Sequence, residues 1–490
     1  MERHSRIKRA QPQAGLFVLL FAVVIWAAIV LLGPFPPKWS WLLALPLVLL
    51  QGIMAWYAPR LAFYSLLLFL PFSVYAHLGD SKISLPGEAW LFLLGFVGIL
   101  QWITGRWPGP FSVQHPITWL IGGYFSWLVI SALGSEMPWV SLKYLLLQAA
   151  YIGVFFFLLT SWLRQPSHWS WLPWLYTLPV LVLVVYTTWR HAGYGFVPQV
   201  NKNVPSPFFN DHTIYGAVLA LLLPFWALRL LLPRAERLLP RWALLLIVII
   251  LLTGIFLSYS RAVWISVVVI FLLGIFIALR LKVRYLVLLG LLLLSGLFFY
   301  RMPLQARLNQ VSSERGGAPA ENLASSANIN SSVSNLERLN RWKAAWNMFR
   351  EKPHLGFGPG TYPMQYGPYQ DQQRMTRLST YLGDAGGVHS EYLKPLAESG
   401  WPALLLFAAL LAFTFQRGMA LCYHAPRRQT RLLATAFVLG LVGYWTHGLF
   451  NFFLDTDKTA LLHWGFIAGI VSLDTHLAAG RKKDKPHASQ

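Results

Sequence analysis

Acidic residues are scarce in this chain: 18 Asp and Glu stand among 490 residues, against 40 Lys and Arg, and charged residues of both signs make up only 12%. A soluble helical protein of this size needs far more charge on its surface, so that class is excluded. Cysteine is scarcer still. The single Cys422 leaves no intrachain disulfide and gives redox chemistry no support. Also missing are an H-E-x-x-H motif, a Walker A loop and a glycine-rich dinucleotide fingerprint following a strand.

What the chain has instead is apolar sequence. Hydrophobic residues make up 56%, and apolar stretches of about twenty residues, the length that crosses a bilayer, recur along most of it. A helix satisfies its own backbone in lipid, so an all-α polytopic membrane bundle is expected. The runs predict about fourteen transmembrane helices: 15–33, 40–57, 61–77, 88–104, 117–135, 141–163, 169–187, 213–232, 241–259, 261–279, 283–300, 391–416, 430–450 and 459–476.

The formal net charge of +22 is distributed in a way that argues against nucleic acid. Basic clusters fall at Arg3–Arg9, at Arg229–Arg241, at Arg280–Arg284, at Arg417–Arg431 and at Arg481–Lys485. These are separate short segments in alternate loops, the positive-inside pattern with both termini cytoplasmic, and not one continuous basic face. The first apolar segment follows basic residues without a small-residue cleavage site and reads as an uncleaved signal anchor.

That topology puts the two longest connections, 188–212 and 301–390, on the outer face. The expected organisation is therefore helices over 1–300, a large outer loop over 301–390, helices over 391–476 and a basic cytoplasmic tail over 477–490. Within the large loop, 311–335 is rich in Ser, Asn, Ala and Gly and lacks periodicity, the composition of a mobile segment. The stretch 336–353 places Leu336, Leu339, Trp342, Trp346 and Phe349 at helical spacing. It predicts an amphipathic helix resting on the membrane surface or on the bundle and stopped by Pro353.

Four polar groups share the outer face. Arg261, in "SYSRAVW", sits at a tight junction between two apolar runs; it is either an interfacial arginine reaching lipid phosphates or a ligand for an anion. Arg338, Arg341 and Lys343 are either the solvated side of the amphipathic helix or a cationic strip for phosphate. The segment 301–388 carries ten Lys/Arg against six Asp/Glu, which favours an anionic ligand. "GFGPG", 356–360, is read as a turn. His389 is followed by Glu391, Lys394 and Glu398, and neutral histidine is the natural general base for an alcohol. Asp211, His212, Asp384, His389, Asp455 and Asp457 are outer-face candidates for a metal, but no recognised ligand spacing joins them.

In order, Ser258-Tyr259-Ser260-Arg261, Arg338 to Trp342, Pro353 to Gly360, and His389-Ser390-Glu391-Tyr392-Leu393 with Glu398 and Gly400 resemble the O-antigen ligase and Wzy-type polymerase superfamily of bacterial envelope glycosyltransferases. The agreement covers roughly residues 200 to 450, while 207–216 follows the family's entry to its helix only in part. The resemblance implies a GT-C-like fold with a large periplasmic loop in the bacterial inner membrane. It also implies a metal-independent transferase, without cofactor, that moves a glycan from undecaprenyl diphosphate to an acceptor hydroxyl. By the same resemblance Arg261 and Arg338, with Arg341 close by, would hold the diphosphate, and His389 would activate the acceptor. Glu391, Glu398, Asp211 and His212 are then acceptor-binding or orienting candidates. Displacing a lipid diphosphate needs a cationic clamp for the leaving group and a base for the hydroxyl, which fits the residues found. The expected partners are the lipid-linked glycan, lipid A-core or another hydroxyl acceptor, and membrane lipids. Ligase is favoured over polymerase or protein O-oligosaccharyltransferase because the motifs lie nearest that branch. A transporter would place its binding groups near the midplane, where these spans carry little charge.

Overall fold

A computed structural model of the chain describes residues 40–78, 81–106, 113–237, 239–286, 333–371 and 386–483, together with Leu288, Gly290–Leu292, Ser295 and Met375. The expected span 15–33, half of 283–300, the stretch 301–332, Asp384 and the end of the basic tail lie outside the described residues. The chain divides into two compact units, Met1–Trp107 and Pro108–Gln490.

In the first unit, α1 (Ser40–Tyr57) packs on α2 (Pro59–Phe69) and on α3 (Gly87–Ile103). Polar side chains pin these contacts: Ser65 Oγ donates to Gln51 Oε1 at 2.9 Å, and Gln101 Nε2 donates to the Trp56 carbonyl at 3.1 Å. The single span expected over 61–77 is not what forms. The helix stops at Phe69, and a tight turn at Leu70–Phe72 leads into β1 (Val74–Leu78), paired antiparallel with β2 (Ser81–Leu85) so that Val74 faces Leu85. Pro71 removes a backbone donor from the helical ladder, and Val74 and Tyr75 favour extended backbone. Eleven helical residues cover only about 16 Å, roughly half a bilayer core.

The second unit opens with three helices that start on proline: α4 (Pro116–Leu133), α5 (Pro138–Trp162) and α6 (Pro166–Gly193). Proline suits the first helical position, where its missing N–H costs nothing. There follow α7 (His212–Arg229), α8 (Arg241–Leu257), α9 (Arg261–Ala278), α10 (Val333–Glu351), α11 (Leu393–His424), α12 (Arg428–His447) and α13 (Asp457–Lys483). The deeply buried α7 packs on α8, α9, α12 and α13. Among the described residues, seven helices are long and apolar enough to cross a membrane: α4, α5, α6, α7, α9, α11 and α13. The chain is therefore a polytopic membrane protein, and apart from the hairpin its regular elements among the described residues are helices.

The helix α10 covers the stretch expected to be amphipathic, but its buried side is not the one the tryptophans mark. Glu337, Asn340, Arg341, Ala344, Ala345 and Met348 are buried, while Trp346 is half exposed. Polar pairing explains the choice. Arg341 Nε meets Glu337 Oε1 at 2.8 Å, and Asn340 joins Gln370 at 3.2 Å and the Asp371 N–H at 2.7 Å. This face closes a small core with Phe357, Tyr362, Tyr366, Val388 and Ala397, so α10 packs against the start of α11.

The glycine-rich loop is clamped beneath that core. Gly356 (φ 65°) and Gly400 (φ 76°) adopt left-handed backbone, and a Cβ on Gly356 would lie 2.3 Å from the Glu398 carbonyl carbon, one on Gly400 2.0 Å from the His354 oxygen. Only glycine fits where two backbones meet this closely. Glu398 adds side-chain bonds: its two oxygens accept from the N–H groups of Gly360 at 2.8 Å and Tyr362 at 3.1 Å.

Candidate active site

Five segments of the second unit bring polar groups to one end of the bundle. Asp211 caps α7, its Oδ1 accepting from the Thr213 N–H at 3.0 Å and lying 2.7 Å from His212 Nδ1. Short carboxylate side chains at this position satisfy an otherwise unpaired helix donor. Burial works against the Asp211 carboxylate, but His212 and Thr213 outweigh it and hold its pKa below the ordinary range.

Between α8 and α9 the chain reverses over three residues. Tyr259 takes a left-handed conformation (φ 47°), uncommon for a residue with a side chain. Ser258 Oγ accepts from the Ser260 N–H at 3.3 Å, and Asn201 Nδ2 donates to the Ser258 carbonyl at 3.1 Å. Arg261 then begins α9, and its charge is felt by Arg338 on α10, as is that of Asp211.

The two arginines of α10 differ in what they already hold. Arg341 is buried, pairs with Glu337, donates Nη1 to the Gly387 carbonyl at 3.0 Å, and lies 5.3 Å over the Tyr366 ring. Arg338 Nε is buried with no hydrogen-bond partner. Burial, followed by the neighbouring Arg261, lowers the Arg338 pKa from its ordinary value.

His389 stands in the loop before α11 with φ 54°. Its carbonyl accepts from Trp342 Nε1 at 3.2 Å, and its ring meets Phe452 edge-on at 6.3 Å. Burial, and then the charges of Arg341 and Arg338, push its pKa down to about 4. The imidazole is therefore neutral at pH 7 and able to accept a proton.

Asn451, which the sequence reading passed over, is 2% exposed and links two histidines. Its Nδ2 lies 3.3 Å from His447 Nε2 at the end of α12, and its side chain also hydrogen-bonds His389. An amide nitrogen only donates, so His447 Nε2 accepts, and the Asn451 oxygen is left to accept from His389. His389 Nδ1 has no partner, so that bond uses Nε2–H and leaves the lone pair on Nδ1. The signal was present in "THGLFN", where His447 and Asn451 are polar residues four apart in apolar sequence.

Partnerless buried polar atoms mark this end of the bundle: Ser260 Oγ, Arg338 Nε, His389 Nδ1 and His447 Nδ1. Such atoms are rare in folded proteins, and their clustering points to a polar ligand.

The other expected site residues lie behind this cluster and are occupied. Glu391 Oε1 accepts from Tyr444 Oη at 2.5 Å and from the N–H groups of Phe453 at 2.6 Å and Leu454 at 2.9 Å. Burial, and then Asp455, raise its pKa to about 7. Glu398 holds the glycine-rich loop, as described above. Lys394 pairs with Asp455, and the Lys458 N–H donates to Asp457 at 2.8 Å. Among the described residues, no three His, Cys, Asp or Glu side chains converge as a metal site.

Two comparisons with known proteins bear on this geometry. Residues 246–408 match the family model described as O-antigen ligase (Wzy_C). The match runs from within α8 through Arg261, Arg338, Arg341, His389, Glu391 and Glu398 into α11; Asp211, His212, His447 and Asn451 lie beyond it. No curated protein matches the chain.

Proposed function

We propose that the O-antigen ligase family domain at residues 246–408 serves here as a membrane glycosyltransferase of GT-C type. It moves a glycan from undecaprenyl diphosphate to an acceptor hydroxyl on the periplasmic face of the inner membrane. The observation that carries this reading is the pairing of a partnerless arginine donor with a partnerless histidine lone pair, Arg338 Nε and His389 Nδ1, in one cluster.

The chemistry follows from those two atoms. The acceptor hydroxyl gives its proton to His389 Nδ1 while its oxygen bonds to the anomeric carbon of the donor sugar. The bond from that carbon to the diphosphate oxygen breaks, and the diphosphate leaves with the electron pair. Arg338 and Arg261 take up its negative charge, since guanidinium forks match phosphate oxygens. Arg338 feels the like charge of Arg261 as well as the opposite charge of Asp211, and two guanidiniums this near each other favour an anionic ligand. A histidine whose pKa lies near 4 is a weak base, and the negative charge of a bound diphosphate raises its basicity where the proton is transferred.

Arg341, Glu391 and Glu398 act as positioning residues in this scheme. Arg341 holds the 386–389 loop through Gly387, Glu391 anchors 453–454, and Glu398 anchors the glycine-rich loop. Asp211 and His212 fix the start of α7 beside the donor arginines. We assign the finished glycan's acceptor as lipid A-core, making the enzyme a ligase without metal or cofactor, with both termini cytoplasmic. The experiment is a transfer assay with purified protein, lipid-diphosphate glycan and three acceptors: lipid A-core, a second lipid-linked glycan and a Ser/Thr peptide. Glycosylated lipid A-core is the expected product. Extended lipid-linked glycan would replace ligase by polymerase, and absence of transfer to any of the three would remove the proposal.

A further inference from the structure

His447, the last residue of α12, is buried beside the candidate base and has no part in the scheme above. It is 1% exposed. Its ring packs against those of Phe453 at 5.4 Å and Tyr444 at 6.4 Å, and its carbonyl accepts from the N–H groups of Phe450 at 3.0 Å and Asn451 at 3.1 Å. Ring and turn are both fixed, which keeps Asn451 Nδ2 within 3.3 Å of His447 Nε2.

The bridge from His447 through Asn451 to His389 uses one nitrogen of each ring and leaves Nδ1 of both rings buried without a partner. An amide oxygen only accepts, an amide nitrogen only donates, and a neutral imidazole carries one proton. Two arrangements therefore satisfy both bonds. In the first, the Asn451 oxygen faces His389, which carries its proton on Nε2 and is bare on Nδ1, while His447 is bare on Nε2 and carries its proton on Nδ1. With the amide turned over, the protons on both rings change places, and His389 Nδ1 can accept nothing. Only the first arrangement, the one in the structure, leaves a base. The surrounding charges favour it too. Both histidines feel Arg338 and Asp211, and His389 feels Arg341 in addition, so the nitrogen without hydrogen is better placed on His389.

We propose that His447 is a positioning residue for the base: by accepting from the Asn451 amide nitrogen, it turns the amide oxygen to His389 and keeps the lone pair of that ring on Nδ1. Removing the His447 acceptor leaves a buried N–H of the amide unpaired, which costs more than the hydrogen bond itself was worth. Turning the amide over gives that N–H to His389 Nε2 and moves the His389 proton to Nδ1. A carboxylate at position 451 has nothing to donate, so it holds the proton on His389 Nε2 whatever residue stands at 447. The consequence for rate rests on the transferase reading; the order of the protons does not.

The test is solid-state NMR of the full-length protein in lipid, isotopically labelled at histidine Nδ1, together with transfer kinetics. The His389 signal is the one lost in His389→Gln, and its shift separates a bare nitrogen from one that carries hydrogen. At neutral pH, wild type is expected to show a bare Nδ1. His447→Phe keeps a ring against Tyr444 and Phe453; it is expected to show Nδ1–H on His389 and to lower kcat about tenfold with donor KM little changed. His447→Leu gives the same reading if the larger ring prevents folding. Adding Asn451→Asp to either variant should return Nδ1 to the bare form and shrink the cost of the His447 substitution to about twofold or less. A bare His389 Nδ1 in the His447 variants, or one carrying hydrogen in wild type, overturns the proposal. Equal losses of kcat with Asn and with Asp at position 451 also overturn it, since they would make His447 a packing residue only. The expected spectra from a protein that transfers no glycan would uphold the assignment of His447 and remove the transferase reading instead.

Discussion

The stretch from Gly386 to Gly400 has two sides that share a sequence and differ in what they have left to give. On one side, Glu391, Lys394 and Glu398 are bonded to neighbours: three donors on one Glu391 oxygen, Asp455 on Lys394, two loop N–H groups on Glu398. On the other side, His389 Nδ1 and the nearby Arg338 Nε have no partner. The difference separates scaffold from chemistry. Buried polar groups that are satisfied hold a loop in place, and groups kept unsatisfied are held for a ligand.

Substitutions on the two sides should therefore fail differently. The sharpest contrast is between the arginines of α10. Arg341→Ala removes the buried ion pair with Glu337 and should cost about 3–5 kcal/mol of stability, seen as a large drop in melting temperature. Arg338→Ala should leave melting nearly unchanged and lower transfer about 10²- to 10³-fold, measured as kcat/KM for the lipid-linked donor. Equal stability losses in the two variants would erase the distinction.

Glu398→Gln comes next. A neutral amide keeps an oxygen for one loop N–H but presents its NH₂ to the other, so about 1–3 kcal/mol of stability is lost. Thermal melting reads the loss, and protease cleavage at 356–362 reads the loosened loop. A Glu398→Gln protein with wild-type melting and no transfer would move Glu398 from scaffold to chemistry.

Asn451→Ala should reduce kcat about tenfold, with donor KM little changed, because His389 loses the acceptor that keeps its lone pair on Nδ1. Asn451→Asp, which still accepts from His389, should recover part of that rate and move the acid limb of its pH profile upward, since a carboxylate favours the protonated ring. A purely structural Asn451 would move neither the pH profile nor the KM-to-kcat split.

The smallest expected effect is in the wild-type pH profile. With its pKa near 4, His389 is neutral above that pH and protonated below it. The acid limb of kcat/KM, which reports the free enzyme, should fall as pH drops toward 4. An acid limb governed by an unperturbed histidine near 6.5 would show that His389 is not buried among arginines in the working protein.

Much of this architecture is legible in the sequence, and the parts that are not have physical causes. Long apolar runs give the ends of α4, α5, α7, α8 and α9 within a few residues, because lipid-crossing length is a local property. The first strand of the hairpin, Val74–Leu78, was hidden at the end of an apolar run that reads equally well as helix. The buried side of α10 was missed because Arg341 and Asn340 are drawn inward by Glu337, Gln370 and Asp371, two of which lie some thirty residues away. In the site, single motifs mark His389, Arg261 and Arg338 as candidates. What separates Arg338 from Arg341, or brings Asn451 to His389, is long-range pairing that no spacing within a motif records.

The most direct test of the central claim is a single-turnover transfer with the lipid-diphosphate glycan already bound to wild type or to His389→Ala. If His389 Nδ1 takes the acceptor proton, the variant binds donor as wild type does, and its transfer rate falls about 10²- to 10⁴-fold. Transfer at the wild-type rate from donor-loaded His389→Ala would contradict the account.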